Sequence, residues 1–216
     1  MGGSWIYLGL KQRKLIKLKK KFFQQNGVLL LQQRFLNHRG SIETAKLLTE
    51  EDLKKAINNY HESRVLGQGG FGTIYTGVLP DNKEVAIKKS KIGDHSQIEQ
   101  FINEMIVLSQ VNHKNVVKIL GCCLETEVSL LVYEFITNGT LSYHIYDKDI
   151  SSLLSWEKRL KIAAESAGAL AYLHSTTSVS IINKDVKSTN ILFDDNYIAK
   201  CPILELQGWF FLIKHN

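Results

Sequence analysis

The run Gly67-Gln68-Gly69-Gly70-Phe71-Gly72 constrains this chain more than any other feature of its sequence. Its G-x-G-x-x-G spacing occurs in dinucleotide-binding units, but there the motif must open a helix. Here an alternating stretch, Thr73–Leu79, follows, and Pro80-Asp81-Asn82 predicts a turn into another strand, Glu84–Lys88. We therefore predict a glycine-rich turn between antiparallel strands. Its backbone N–H groups can approach phosphates closely, although a purely structural turn would need the same residues.

A lysine ends the third of these strands. The strand reads Val85-Ala86-Ile87-Lys88, so its ammonium group projects from a partly buried surface. A buried charge is costly unless it is paired, and Glu104 on the next predicted helix is the natural partner. Taken alone, each residue is typical of a surface charge. Together with the glycine turn, they predict a phosphate clamp.

A third polar cluster follows later, in Asp185-Val186-Lys187-Ser188-Thr189-Asn190. The aspartate can accept a hydroxyl proton, the lysine can neutralise phosphate, and the Asn190 amide oxygen can bind Mg²⁺. The alternative is a polar turn before a strand, since Asn, Asp, Ser and Thr are enriched in turns.

Hydrophobic spacing predicts further elements around these motifs. Thr49-Glu50-Glu51-Asp52 is typical of a helix start, with Leu53, Ile57 and Tyr60 continuing its apolar face. Beyond the hairpin we predict a helix over 96–109, strands over Val116–Leu120 and Leu130–Phe135, and an amphipathic helix over Trp156–Ser175. The apolar face predicted for this last helix consists of Leu160, Ala163, Ala164, Ala167, Leu170, Ala171 and His174. Residues 24–48 show no period and are predicted to form a mobile linker.

The positive charge of the chain lies at one end. Residues 1–40 hold nine Lys or Arg and no acidic residue, whereas 41–216 hold 18 basic against 21 acidic residues. This distribution disfavours a nucleic-acid-binding domain and favours a basic segment that meets an acidic surface. Seven of the eleven residues 11–21 are basic, with Trp5, Tyr7, Phe22 and Phe23 on either side. A solvated helix face and an anionic membrane surface are both compatible with this pattern.

No run approaches the roughly 18 apolar residues of a membrane span, so we expect no transmembrane helix in this chain. The three cysteines, Cys122, Cys123 and Cys201, have no metal-binding spacing and indicate a reducing compartment.

These motifs, in this order, resemble the signature set of eukaryotic protein kinases over about residues 60–200. Lys187 is similar to the serine/threonine pattern. The stretches TEEDLKKAINNYHESRVLGQGGFGTIYTG and EQFINEMIVLSQVNHKNVVKILGCCLETEVSLLVYEF, together with NGTL, resemble plant receptor-like kinases of the wall-associated group. The resemblance implies an α+β, two-lobe fold with a complete small lobe of antiparallel strands plus one helix, a truncated large lobe, and an ATP cleft between them. The implied divisions are 1–48 as a basic juxtamembrane-like segment and linker, 49–136 as the small lobe with its preceding helix, 137–200 as a partial large lobe and 201–216 as a divergent hydrophobic tail.

The resemblance also implies roles for single residues. Gly67, Gly69 and Gly72 would cover the ATP phosphates, and Lys88 would hold the α/β-phosphates while pairing with Glu104. The adenine would lie among Leu66, Ile74, Ala86 and Leu192, against the backbones of Glu134 and Ile136. Asp185 would be the catalytic base, Lys187 would contact the γ-phosphate, and Asn190 would bind Mg²⁺.

The chain departs from the kinase pattern at two places. The expected His-Arg-Asp reads Asn183-Lys184-Asp185, which keeps one positive charge but loses the planar guanidinium fork of arginine. After Lys200 the sequence continues Cys201-Pro202-Ile203-Leu204 instead of reaching Asp-Phe-Gly. We therefore expect weakened phosphoryl transfer.

The leading interpretation is an ATP-binding protein serine/threonine kinase of the receptor-like class, which uses ATP and Mg²⁺ and acts on a protein Ser or Thr at the cytoplasmic face of the plasma membrane. The alternatives are a nucleotide-binding or scaffold fragment without catalysis, and a non-functional truncated product.

Overall fold

The fold is described by a computed structural model over residues 2–27, 46–69, 72–90, 97–147, 154–175 and 186–202. The chain divides into two compact units. The first comprises Met1–Ile106 and Gly121–Val132, and the second comprises Val107–Leu120 and Tyr133–Asn216. The lobe boundaries expected from the sequence stay a prediction.

The regular elements follow the predicted order closely. The helices are α1 Gly2–Gln25, α2 Glu50–Ala56, α3 Gln97–Gln110, α4 Leu141–Tyr146 and α5 Trp156–Ser175, with short 3₁₀ turns at Glu62–Arg64 and Ser188–Asn190. The strands are β1 Lys46–Leu47, β2 Val65–Gly69, β3 Gly72–Val78, β4 Glu84–Ser90, β5 Ile119–Cys123, β6 Leu130–Glu134, β7 Leu192–Phe193 and β8 Ala199–Lys200.

Six strands form one sheet in the order β1-β5-β6-β4-β3-β2. The three strands around the glycine turn are antiparallel, as predicted. The pair β1–β5 is parallel, which the sequence analysis did not expect. The strand predicted at Val116–Leu120 begins later, at Ile119, because Val116 instead forms an isolated bridge with Cys201. The sheet contributes Val85, Ile87, Leu130 and Val132 to a buried core.

The helix predicted at Thr49 is confirmed, including its cap. The Thr49 hydroxyl accepts a hydrogen bond from the Asp52 N–H at 3.1 Å and donates one to the Asp52 carboxylate at 2.7 Å. Leu53 and Ile57 are fully buried beneath it. The helix ends at Ala56, before Tyr60, because Asn58, Asn59 and Tyr60 adopt positive φ angles.

The predicted mobile linker over 24–48 is wrong at both of its ends. Helix α1 continues to Gln25, and Asn26 and Gly27 behind it are buried. At the other end, Lys46 and Leu47 pair with Gly121 and Cys122 of β5. Because Lys46 and Leu47 are ordered by pairing with a strand that is distant in the sequence, the residues around them show no hydrophobic periodicity. Residues 28–45 lie outside the described part of the chain.

Helix α5 has the predicted bounds but buries a different face. Its buried residues are Ile162, Ser166, Ala169 and Leu173, whereas the predicted face made of Leu160, Ala163, Ala164, Ala167, Ala171 and His174 is exposed and Leu170 is half-buried. Both stripes are apolar, so periodicity could not separate them. The buried stripe carries a branched side chain, Ile162, that packs into a cluster with Leu154, Ile191 and Phe193.

All three cysteines are buried and unpaired. Burial raises the pKa of Cys122 to about 12 and that of Cys123 to about 11, so both thiols stay protonated and behave as small apolar side chains. Among the described helices, none has the length and apolar character needed to cross a membrane.

The cap of α2 offers a stability test. Thr49→Ala removes the acceptor for the Asp52 N–H and should lower the free energy of unfolding by about 1 kcal/mol. Thr49→Ser keeps the hydroxyl and should stay close to the parent chain. Urea denaturation checks both, and equal midpoints for the alanine variant and the parent chain would contradict the cap.

Candidate functional site

The first unit presents the glycine turn at an edge of the sheet. All residues of β2 are exposed, including the large apolar side chain of Leu66 at 51%. A Cβ atom built on Gly67 or Gly69 would meet no other atom within 4 Å. Packing therefore does not require glycine at these two positions. The backbone there is open to a ligand, which fits a phosphate-bearing group. Gly70 and Phe71 lie outside the described residues.

Gly72 serves the fold instead. Its φ is +135°, and a Cβ atom there would collide with the carbonyl oxygen of Lys89 on β4. The β3–β4 ladder begins at this residue, where Gly72 pairs with Ser90. Gly67 and Gly69 thus leave open space for a ligand, whereas Gly72 permits the close backbone approach at the start of the β3–β4 ladder.

Lys88 lies on β4, and its side chain is buried. It is only 6% exposed and stands directly opposite Ile74 of β3. Since side chains alternate along a strand, Ala86, Lys88 and Ile74 share one face, and Val85 and Ile87 point to the other. The structure therefore brings together two of the predicted adenine contacts and the predicted phosphate-binding lysine. Glu104 lies on α3, but its side chain is outside the described part, so its pairing with Lys88 stays a prediction.

The second unit holds the predicted backbone contacts. Tyr133 is buried in β6, and Glu134 ends that strand. The Glu134 N–H donates to the Lys118 carbonyl at 2.9 Å, so this N–H is already engaged within the protein. Ile136 follows two residues later and is half-buried. The Glu134 side chain is held by the Lys118 N–H at 2.9 Å and by Lys200 at 3.3 Å.

The segment after Ile136 is tied to the segment that carries Asn190 and Leu192. Thr140 bridges to Leu192, the Leu141 N–H donates to the Ile191 carbonyl at 2.7 Å, and the Phe193 N–H donates to the Gly139 carbonyl at 2.9 Å. Asn190 ends a 3₁₀ turn that Lys187 precedes, and its N–H donates to the Lys187 carbonyl at 2.8 Å. The second unit therefore places Lys187, Asn190 and Leu192 in one short stretch.

Three positioning residues of this unit were missed by the sequence analysis. Asp194 accepts hydrogen bonds from the N–H groups of Asn196 and Ile198, both at 2.9 Å, and so closes the β7–β8 hairpin. His144 is buried and its Nε2 lies 2.7 Å from the Asn138 carbonyl. Asn115 donates its side-chain amide to the Ala199 carbonyl at 2.8 Å. Only Asp194 left a signal, in the turn-forming run Asp194-Asp195-Asn196.

The described residues do not make a complete metal site. No group of three or more His, Cys, Asp or Glu side chains that could hold a metal ion occurs among them. Asn190 is a predicted Mg²⁺ ligand, while Asp185, Asn183 and Lys184 lie outside the described part. The sequence contains no Asp-Phe-Gly to supply a further carboxylate. Mg²⁺ is usually held by one or two carboxylates together with substrate phosphates, and none of the described residues is a predicted carboxylate ligand.

Comparison with known proteins decides the family. The family model of protein tyrosine and serine/threonine kinases matches residues 60–202. The chain belongs to the protein kinase family. It is similar to Wall-associated receptor kinase 1 of Arabidopsis thaliana, at 58% identity over 93% of this chain, and to Wall-associated receptor kinase 3 of the same plant, at 59% identity over 88% of this chain. It spans only 27% and 26% of these two relatives.

Solved kinase-like structures support the fold. The apo structure of a plant pseudokinase has a TM-score of 0.65 and 25% identity, covering 77% of this chain and 61% of that one. The structure of drought responsive inactive kinase 1, bound to ENMD-2076, has the same TM-score at 24% identity, with 77% and 64% covered. This kinase chain therefore has the mixed α/β kinase fold predicted from its sequence.

The two roles of the motif glycines can be separated by stability. Gly72→Ala forces a side chain against the Lys89 carbonyl at positive φ and should lower the free energy of unfolding by about 1–3 kcal/mol. Gly67→Ala meets open space and should leave stability unchanged or raise it by up to about 1 kcal/mol. Denaturant unfolding of the matched pair checks this, and equal losses in both variants would refute the distinction.

Proposed function

We propose that this kinase chain binds ATP through the glycine turn and Lys88, as the nucleotide-binding part of a serine/threonine kinase of the receptor-like class. The observation that carries the proposal is the buried position of Lys88 opposite Ile74, behind a turn whose glycines leave open space. A lysine held in a buried position of this kind presents a fixed cation, which suits a ligand of opposite charge.

ATP supplies a transferable γ-phosphoryl group and a chain of negative charge. Toward it, Lys88 would contribute one fixed cation, and the Gly67 and Gly69 backbones would contribute N–H groups. Leu66, Ile74, Ala86 and Leu192 would contribute apolar contact to the adenine, and the backbones of Glu134 and Ile136 its hydrogen bonds. These are binding and orienting roles, which supply most of what a protein contributes to phosphoryl transfer.

The transfer step itself would fall to the second unit. By resemblance, Asp185 would accept the proton of a substrate Ser or Thr hydroxyl, Lys187 would meet the γ-phosphate, and Asn190 would hold Mg²⁺. Glu104 would orient Lys88. Because the sequence lacks Asp-Phe-Gly, we expect transfer far below that of a kinase with the full set of Mg²⁺ ligands.

A second candidate function is nucleotide binding without turnover, in a scaffold or docking role. It is favoured by the absence of Asp-Phe-Gly from the sequence and of a metal cluster from the described residues. One solved structure that this chain resembles, at 25% identity, is titled as a pseudokinase. A non-functional truncated product would bind no nucleotide at all, which the first experiment below tests.

The site of action follows from the relatives. The Arabidopsis proteins are named receptor kinases, so we assign this chain to cell-surface receptor signalling at the cytoplasmic face of the plasma membrane. Its partners there would be ATP, a protein substrate and, through residues 11–21, an anionic membrane surface.

The ATP-binding proposal can be tested with two neighbouring lysines. Mg-ATP at about 100 times its dissociation constant should raise the free energy of unfolding by about 2.7 kcal/mol. Lys88→Met should abolish this gain because it removes the cation of the site. Lys89→Met is the matched control, since Lys89 instead lies 4.4 Å above the ring of Tyr60. Thermal melts with and without Mg-ATP measure the gain, and a gain that survives Lys88→Met would refute the role of Lys88.

Turnover separates the two candidate functions. Transfer of labelled γ-phosphate to a Ser/Thr substrate protein that Asp185→Asn removes would support the kinase. An ATP-dependent gain in stability without any transfer would support the non-catalytic module. Transfer that persists in Asp185→Asn would refute the role given to Asp185.

A further inference from the structure

Helix α1 carries two different kinds of basic residue. Lys19 is set apart from the others, because its ammonium group lies 3.3 Å from the Glu50 carboxylate and 3.6 Å from the Glu125 carboxylate. Burial alone would lower the pKa of Lys19, but the hydrogen bonds and charges of Glu50 and Glu125 outweigh it and raise that pKa. Lys19 is therefore held within the first unit.

The end of α1 is anchored to the same place by neutral hydrogen bonds. The buried Asn26 amide donates to the Leu124 carbonyl and to the Thr126 carbonyl, each at 2.8 Å. Glu125, between these two carbonyls, also accepts the Glu50 N–H at 2.9 Å, at the first residue of α2. We call this contact of Lys19 and Asn26 with Glu50 and the 124–126 turn the dock.

Five of the six remaining basic residues of α1 point away from the dock. With about 100° between successive residues, Lys19 and the half-buried Phe22 and Phe23 share one face of α1. On the opposite face, five basic residues fall within an arc of about 120°. This outer face consists of Arg13, Lys14, Lys17, Lys20 and Lys21, all exposed. The helix contains no acidic residue that could neutralise them.

The chemistry around the outer face identifies a lipid surface as its partner. On the same side of α1 as the outer face, the apolar side chains of Ile6 and Leu10 precede the basic stretch and stand in solvent, at 66% and 59% exposed. A soluble acidic macromolecule would match the charges but would leave these apolar groups in water. An anionic bilayer surface takes up both, with Ile6 and Leu10 at the boundary between headgroups and acyl chains and with lysine and arginine among the phosphates.

We propose that α1 is a two-sided adaptor, whose outer face binds an anionic membrane while its dock stays engaged with the first unit, so that this unit is held in a fixed orientation to the membrane. This inference rests on the proposed membrane location but not on kinase activity or ATP binding. Lys19 and Asn26 act here as positioning residues. They do not touch lipid, because the dock occupies them.

Vesicle binding tests the outer face. The full chain should bind vesicles that contain phosphatidylserine and should not bind neutral vesicles. Lys17→Gln with Lys20→Gln should weaken binding about 25-fold, because each basic residue at an anionic surface contributes about fivefold. Lys19→Gln should change binding by less than about twofold. Equal losses for Lys19→Gln and Lys20→Gln, measured singly, would overturn the division of the helix into two faces.

An apolar variant on the outer-face side separates lipid from a soluble acidic partner. Leu10→Gln should weaken vesicle binding several-fold, because Leu10 lies in the same arc of α1 as the outer face and would enter the lipid. Binding to anionic vesicles that is indifferent to Leu10→Gln would remove the apolar contact and overturn the assignment of the outer face to a lipid surface. Equal binding to neutral and anionic vesicles would overturn the outer face itself while leaving the ATP result untouched.

Hydrogen exchange of the bound chain tests the dock. In the parent chain, amides in 121–128 should exchange equally slowly with and without phosphatidylserine vesicles. Asn26→Ala should speed their exchange, whereas the exposed neighbour Gln25→Ala should not. Faster exchange at 121–128 on vesicle binding would mean that membrane and dock compete for α1, and would overturn the adaptor.

Discussion

The β3–β4 ladder is the constraint on which the rest of the first unit depends. Seven residue pairs, from Gly72 with Ser90 to Val78 with Glu84, fix the register of the two strands. A slip by one residue would exchange the faces of β4, turning Lys88 into the core and Val85 and Ile87 out of it. The burial of Val85 and Ile87 therefore fixes the face of β4 on which the Lys88 side chain lies. At the start of the ladder, only glycine fits at position 72, because a Cβ atom there would collide with the Lys89 carbonyl oxygen.

The second unit positions its predicted site residues without a large sheet. Its segments 138–141 and 191–193 are held together by backbone hydrogen bonds, and Phe193 and Ile191 anchor them in a core with Leu154 and Ile162. Asn190 and Leu192 are thereby carried on a rigid support, which is how a few polar groups can be positioned for a ligand. In the first unit, the dock of α1 instead uses hydrogen bonds from the buried side chain of Asn26 to two backbone carbonyls.

Local signals explain what the sequence could predict. The cap at Thr49, the glycine turn and the α5 bounds depend on neighbours within a few residues, and all three are present in the structure. The buried face of α5 was predicted wrongly because both of its stripes are apolar in the sequence. The distant residues Ile191 and Phe193, which pack with Ile162, determine which stripe is buried. The dock escaped prediction because Asn26 finds its partners about 100 residues away. The pairing of Lys88 with Glu104 and the role of Asp185 remain predictions.

Hydrogen exchange of the chain with and without Mg-ATP tests the central claim, that the glycine turn and Lys88 form a nucleotide site. The account predicts slower exchange in peptides from β2, β3 and β4, because bound phosphates engage the backbone N–H groups of the turn, and no change in α1. Unaltered exchange in β2–β4 of a folded chain at saturating Mg-ATP would contradict the claim.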